Sequence, residues 1–163
     1  MLSTVIHDRE YYVGIDPSLS ATGLVMINER GEIVEQRLIN TELENYLCIE
    51  QRLLDIMSSI IFLNGVMKLS YVYIEDLPYL SKGGAIFERA GLLYLITTFL
   101  FQNNIPYKLI KPTTLKKWST GSGRADKADM MNEALTKYGI EFTDDNLCDA
   151  FFLSQMARLK NIY

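Results

Sequence analysis

Histidine and cysteine are nearly absent from this sequence, which narrows the chemistry it can perform. Among 163 residues there are one histidine, His7, and two cysteines, Cys48 and Cys148. A lone histidine ahead of the first predicted strand gives little support to a histidine-based metal site or a serine–histidine triad. Two cysteines far apart in sequence make a disulfide framework unexpected and favour a reducing, cytoplasmic compartment.

Long hydrophobic runs, repeats and linker-like segments are missing as well. No apolar run is expected to reach the ~18 residues that a membrane span needs, and the N-terminal residues lack the features of an export signal. Residues 1–10 are predicted to be a loose leader. A length of 163 residues fits one domain with one core, spanning residues 1–163. The sequence therefore predicts a single domain without a membrane partner.

Positive charge is scarce overall but concentrated in one segment. The net charge of −4 argues at first against a nucleic-acid partner. Residues 1–60 carry ten acids against four arginines, a balance of −6, whereas residues 108–127 carry six basic residues against Asp126 alone, a balance of +5. Because local field steers a polyanion more than total charge does, this segment is either a solvated basic surface or a nucleic-acid contact.

Apolar periodicity predicts an α/β fold with a mixed five-stranded sheet flanked by helices. The first, fourth and fifth strands are separated by helices, so right-handed crossovers make them parallel neighbours, while the second and third strands extend the sheet antiparallel. The predicted strands are 11–17, 24–28, 33–39, 70–75 and 107–110, and the predicted helices are 44–63, 85–101, a short helix through Trp118, 125–138 and 145–159.

The helix at 85–101 is apolar most of the way round. Such a helix must be covered on more than one side. A second subunit could supply the cover, and so could a sheet on one face with another helix on the other.

Asp16 is the first candidate catalytic residue. Strand alternation places Gly14 and Asp16 on one face, with Asp16 at the carboxyl end of the strand. Gly14 would leave room beside it and Gly23 would allow close backbone approach, so that a bulky, charged group could come near. On these residues alone, an aspartate that only caps the turn before Ser18 is an equal alternative.

Further acids follow the same pattern. Glu75 ends the fourth strand as Asp16 ends the first, and parallel strands carry their sites at the shared carboxyl edge. Asp145 and Asp149 stand one turn apart on the last helix, an unfavourable pair of like charges. The helix macrodipole explains Asp144 and Asp145 in the first turn but explains Asp149 poorly. We therefore expect three or four carboxylates to converge at this edge.

A carboxylate cluster without histidine favours a divalent metal. Repulsion within the cluster would raise its pKa values, and divalent cations relieve that repulsion. Ligands that are all oxygen suit Mg²⁺ or Mn²⁺ better than Zn²⁺. Two such ions can hydrolyse a phosphodiester, and residues 108–127 could bind its phosphates, with Gly121 and Gly123 letting backbone amides approach the sugar-phosphate chain.

Four motifs carry a resemblance to a known family. They are Gly14-Ile15-Asp16-Pro17-Ser18 with Thr22-Gly23, then Tyr73-Ile74-Glu75, then Gly121-Ser122-Gly123-Arg124-Ala125-Asp126-Lys127, then Asp145-Asn146-Leu147-Cys148-Asp149-Ala150. In order and spacing they resemble the RuvC family of Holliday-junction resolvases over roughly residues 11–158. The resemblance implies an RNase H-like fold, a homodimer, and in each subunit a Mg²⁺-dependent endonuclease that cuts opposed strands of a four-way DNA junction. The compact size and acidic balance resemble phage-encoded members.

The resemblance also implies roles for single residues. Asp16, Glu75 and Asp149 match the family's catalytic, metal-binding carboxylates, and Lys116 and Lys127 match its lysines near the active site.

Two positions depart from the family's pattern. Asn146 stands where the bacterial pattern has an aspartate, so Asp145, one residue earlier, is predicted as the fourth metal ligand. Pro78 stands where the family often has an aromatic that stacks on a junction base, so Tyr79 is the candidate for that role, with a packing tyrosine as an equal alternative. The predicted DNA contacts are Tyr79, Lys111, Lys116, Lys117, Arg124 and Lys127.

Other functions remain open at this point. The same fold could act on RNA or on other branched DNA. The opening motif is also typical of actin-like ATPases, although these need two such subdomains around the nucleotide. A catalytically silent binding subunit, with its acids as caps and surface charges, is a further alternative.

Overall fold

A computed structural model describes residues 10–40, 49–67, 69–77 and 85–159 of the chain. Apart from Glu10, the predicted leader lies outside these ranges, and so do Tyr79 and the beginning of the first predicted helix. The strands are β1 (Tyr12–Asp16), β2 (Ala21–Ile27), β3 (Ile33–Asn40), β4 (Tyr71–Glu75) and β5 (Tyr107–Ile110). The helices are α1 (Ile49–Met67), α2 (Ala85–Gln102), α3 (Pro112–Thr120), α4 (Lys127–Tyr138) and α5 (Asp145–Leu159).

The five strands form one mixed sheet in the order β3-β2-β1-β4-β5. β1, β2 and β3 pair antiparallel, and β4 runs parallel to both β1 and β5. The predicted fold class and strand topology are therefore confirmed. The short turns between the first three strands allow only antiparallel pairing, whereas the helical crossovers return the chain in the parallel direction.

Among the described residues, the largest differences from the predicted element boundaries are at the beginning of β2 and the end of α1. β2 begins at Ala21 because the preceding turn is closed by Thr22, whose hydroxyl donates to the Ser18 carbonyl over 2.7 Å and accepts from the Ser18 amide over 3.2 Å. α1 continues through Gly65, where the helix was predicted to end, and ends at Met67. Gly65 is exposed, and an added Cβ there would meet open space.

Helices cover the sheet on both faces. One core lies between the sheet and α1 and α2 and includes Val13, Ile56 and Ile96. The other lies between the sheet and α3, α4 and α5 and is centred on Phe151 and Phe152, both fully buried. Strand alternation decides which residue of β1 enters which core, as predicted. The site discussed below lies at the carboxyl edge of the sheet, between these two layers.

Gly14 and Gly23 contact α5 and leave no room for a ligand. A Cβ at Gly14 would overlap the Ala150 carbonyl and lie 2.6 Å from the Ser154 amide nitrogen, and a Cβ at Gly23 would overlap the Asn146 carbonyl. The expectation that Gly14 leaves room for a bulky charged group is wrong, whereas the close backbone approach expected at Gly23 is confirmed. Both glycines let the backbone of α5 pack directly on β1 and β2, which carries Asp149 to the end of β1.

α2 covers its face of the sheet and leaves much of its own surface open. Its sheet side is buried at Leu92, Leu93, Ile96, Thr97 and Leu100. By length and composition, Ala85–Gln102 could cross a membrane, which corrects the expectation that no run is long enough. The buried side packs into the core, as a core helix does. The large side chains exposed on its outer side are Phe87, Tyr94, Leu95 and Phe101.

Candidate active site

Four acidic side chains from distant parts of the sequence line one cavity. Asp16 is the last residue of β1, Glu75 is the last residue of β4, and Asp145 and Asp149 lie on α5. They line a cavity of about 330 Å³ together with two lysines, Lys116 of α3 and Lys127 of α4. The structure thus brings together the six residues predicted as catalytic.

Asp16 and Glu75 form a hydrogen-bonded carboxyl pair. Asp16 is only 7% exposed, and burial raises the pKa of both groups above their ordinary values. The hydrogen bond lowers the pKa of Asp16 and raises that of Glu75. The two carboxyl groups therefore share one proton in the metal-free cleft, held there by burial and by their hydrogen bond.

Asp149 also holds its proton more tightly than an exposed aspartate. Burial raises its pKa to about 7, and the negative charges of Asp16 and Asp145 act in the same direction. Lys116 and Lys127 lower this pKa without reversing the shift. The cleft thus contains more negative charge than its two lysines offset.

Two adjacent aspartates at the beginning of α5 have different roles. Asp144 accepts hydrogen bonds from the backbone amides of Asn146, over 2.9 Å, and Leu147, over 3.2 Å, and so caps the helix. Asp145 instead lines the cavity and forms an ion pair with Lys127. This hydrogen bond raises the pKa of Lys127. Of the two, Asp145 is the residue that a metal could reach.

The chemistry of the cleft fits a divalent cation. Its donors are carboxylate oxygens, and burial with mutual repulsion raises the pKa values of Asp16, Glu75 and Asp149, a cost that a divalent ion would relieve. In the described ranges no three His, Cys, Asp or Glu side chains already have metal-ligating spacing. In this arrangement Glu75 is hydrogen-bonded to Asp16, and Asp145 is paired with Lys127. The proton shared by Asp16 and Glu75, and the Lys127 ammonium at Asp145, thus occupy carboxyl oxygens that a metal would bind.

The other predicted DNA contacts lie away from the carboxylates. Lys111, Lys117 and Arg124 are exposed but do not line the cavity. Gly121 terminates α3 with φ 85°, and its amide donates to the Lys117 carbonyl over 2.9 Å. The Gly121 amide is therefore engaged in the helix cap, and the expectation that Gly121 and Gly123 let other backbone amides approach a sugar-phosphate chain stays a prediction. Tyr79 lies outside the described residues.

Arg89 is a cavity residue that was missing from the predicted site. It lies on α2 and lines the same cavity as the carboxylates. The sequence did contain a signal, because Glu88 and Arg89 are the charged residues of an otherwise uncharged helix. The sequence alone could not show that the N-terminal end of α2 lies at the carboxyl edge of the sheet, next to the cavity.

Comparison with known proteins agrees with this geometry. Residues 12–154 match the family described as crossover junction endodeoxyribonuclease RuvC. RuvC of Brachyspira hyodysenteriae is 31% identical over 142 residues, covering 85% of this chain and 87% of the relative.

Solved structures show the fold. Thermus thermophilus RuvC matches with a TM-score of 0.76 and 17% identity, over 92% of this chain and 96% of that one. The same protein in complex with a Holliday junction substrate matches with a TM-score of 0.76 and 16% identity, over 93% and 96%. The predicted RNase H-like fold is confirmed. By fold and by sequence match, this chain belongs to the RuvC family of crossover junction endodeoxyribonucleases.

Proposed function

We propose that this protein resolves four-way DNA junctions by metal-dependent hydrolysis of one phosphodiester in each of two opposed strands. The convergence of Asp16, Glu75, Asp145 and Asp149 in one cleft bordered by lysines carries the proposal. Membership of the RuvC family supports the junction as substrate, and nucleases of this family depend on divalent metals. The chain acts on DNA as a soluble enzyme, and the cytoplasm is its proposed location.

The four carboxylates are the proposed metal ligands. Asp16, Glu75 and Asp149 would hold Mg²⁺, or Mn²⁺ in its place, with Asp145 as the fourth ligand and two ions in each site. When bound, the ions activate a water and stabilise the leaving oxygen of the phosphodiester. To bind them, Glu75 and Asp149 release the protons that burial makes them retain.

The basic residues act on the DNA backbone. With Asp145 as a metal ligand, the Lys127 ammonium would be free of its present partner and, with that of Lys116, would face the phosphate at the cleft. Lys111 at the N-cap of α3, Lys117 on α3 and Arg124 in the following loop lie outside the cavity lining and would contact neighbouring phosphates. These outer contacts position the strand and carry little sequence information.

A homodimer is the proposed assembly. Phe87, Tyr94 and Phe101 follow one another at seven-residue intervals, which places them on one face of α2, and they are 82%, 71% and 74% exposed. A second copy of the chain would cover this apolar stripe. Pairing also explains how two cleavage sites meet one junction, since each subunit contributes a cleft.

A labelled four-way junction incubated with and without Mg²⁺ tests the proposal. We expect the wild-type protein to cut only with the metal. Asp16→Asn and Glu75→Gln should abolish cutting and retain junction binding, because they remove metal ligands and leave the basic contacts unchanged. Asp144→Asn is the matched control, since asparagine also caps a helix, and it should cut normally. Normal cutting by Asp16→Asn would refute the proposed chemistry.

Substrate choice needs a separate comparison. Cutting rates on a four-way junction, a Y-fork, a duplex and an RNA hairpin of matched sequence should be highest for the junction. Equal rates on the fork or the hairpin would show that the enzyme hydrolyses branched DNA or RNA in general and does not select the four-way junction.

A further inference from the structure

Arg89 lies on the face of α2 that packs against the sheet. Arg89, Leu93, Ile96 and Leu100 are spaced by four, three and four residues, the period of one helical face. The last three are buried in the core beneath α2. Arg89 therefore continues this face one turn beyond the core, where the strands end and the catalytic cavity opens.

The position of Arg89 adds positive charge to the side of the cleft opposite the lysines. α2 belongs to the helical layer on one face of the sheet, whereas α3 and α4, which carry Lys116 and Lys127, belong to the layer on the other. The carboxylates lie between the two layers. A DNA strand that crosses them would thus meet Lys116 and Lys127 on one side and Arg89 on the other.

The Arg89 side chain is available for a ligand. It is exposed, and within the described ranges no ion pair or side-chain hydrogen bond involves it. Lys127, in contrast, is bonded to Asp145. A guanidinium offers a rigid fork of donors that binds two oxygens of one phosphate at once, which an ammonium cannot do.

We propose that Arg89 binds a backbone phosphate of the strand being cut, next to the scissile phosphate and on the side opposite Lys116 and Lys127. This inference rests on the proposed nuclease function. Contact from both helical layers would fix the register of the strand, so that the scissile phosphate lies over the carboxylates. Arg89 would then determine both how tightly the junction binds and how productively it is placed.

Three variants test the inference. Arg89→Ala removes the contact, and Arg89→Lys retains the charge without the fork. Arg30→Ala is the matched control, because Arg30 is an exposed arginine in the turn between β2 and β3, at the opposite end of the sheet. Junction binding is measured without divalent metal at several salt concentrations, and single-turnover cutting is measured with Mg²⁺.

We expect Arg89→Ala to weaken junction binding roughly ten- to hundredfold and to reduce the slope of log K against log salt by about 0.9 for each subunit bound. Arg89→Lys should retain most of that slope and still cut more slowly, since it neutralises a phosphate without holding it in register. Thermal unfolding of all three variants should match the wild type, because both arginines are exposed.

The outcomes separate this inference from the proposed function. If wild-type protein neither binds nor cuts a junction, the proposed function fails. If wild-type protein cuts but Arg89→Ala matches Arg30→Ala in slope and rate, the role of Arg89 alone is refuted. Equal cutting by Arg89→Lys and the wild type would refute the bidentate contact, and only the role of the positive charge at this position would stand.

Discussion

Single carboxyl groups in the cleft make the metal-free protein sensitive to pH. The pKa of Asp149 is about 7, compared with 3.8 for an ordinary aspartate, and the pKa values of Asp16 and Glu75 are raised as well. A carboxyl that binds its proton more tightly when folded adds stability at low pH, and that stability is lost as the pH rises through the folded-state pKa.

We therefore expect the free energy of unfolding in the presence of a chelator to fall between about pH 4 and pH 7, and to continue falling as Glu75 ionises. Urea titrations at several pH values measure this. Asp149→Asn, which cannot ionise, should show a weaker fall. A free energy that rises over this range, or an identical pH dependence in the variant, would contradict the assignment.

Metal binding should reverse this loss. Because the ligands must release protons to bind a cation, Mg²⁺ or Mn²⁺ should raise the melting temperature more at pH 8 than at pH 5. Calorimetry at the two pH values tests this on the wild-type protein. Asp16→Asn serves as the comparison and should lose most of the metal-dependent increase.

Gly14 tests the packing of α5 on the sheet. Gly14→Ala places a methyl group against the Ala150 carbonyl, and we expect it to destabilise the fold by about 1–3 kcal/mol or more. Gly65→Ala is the control, because it lies in a helix and its Cβ would meet open space. It should stabilise by roughly 0.5–1 kcal/mol. Equal effects of the two substitutions in chemical denaturation would contradict the close packing of α5.

Among the elements, α5 connects stability with catalysis. Its first turn contains Asp144, which caps the helix, next to Asp145, which faces the cavity. Asp144→Ala should cost about 1 kcal/mol of stability and leave cutting largely intact. Asp145→Asn should leave stability nearly unchanged and strongly reduce cutting. Stability should change little because its partner Lys127 is exposed, and an exposed ion pair contributes little. Denaturation and junction cutting, measured on both variants, would separate the two roles.

At the scale of the whole molecule, the exposed stripe on α2 is the proposed dimer interface. Tyr94→Lys places a charge in the middle of the stripe and should give a monomer by sedimentation. Its cuts in a cruciform plasmid should then be single nicks and not paired ones. Leu135→Lys is the control, since Leu135 is an exposed apolar residue on α4, outside the stripe. An unchanged mass for Tyr94→Lys would exclude this surface as the dimer interface.

Much of the fold was predictable because its signals are local. The final helix was predicted at Asp145–Leu159 and β5 at Tyr107–Ile110, the bounds that the structure has, since helical and strand periods and turn residues act over a few positions. The convergence of Asp16 and Glu75 followed from one topological rule, the right-handed crossover. The role of Gly14 and the place of Arg89 depend on which helix lies over which strand, and no local pattern contains that information.

The sequence by itself determined the order of strands and helices, the identity of the acids at the strand ends and the segregation of basic residues into one segment. Each of these features depends on residues that are close together in the sequence. Only the tertiary structure decided that Asp144 caps while Asp145 faces the cavity, that two glycines admit a helix backbone, and that α2 brings an arginine to the cleft. The physical reason is that these facts arise from contacts between elements distant in sequence, whose mutual placement is set by packing of the two cores.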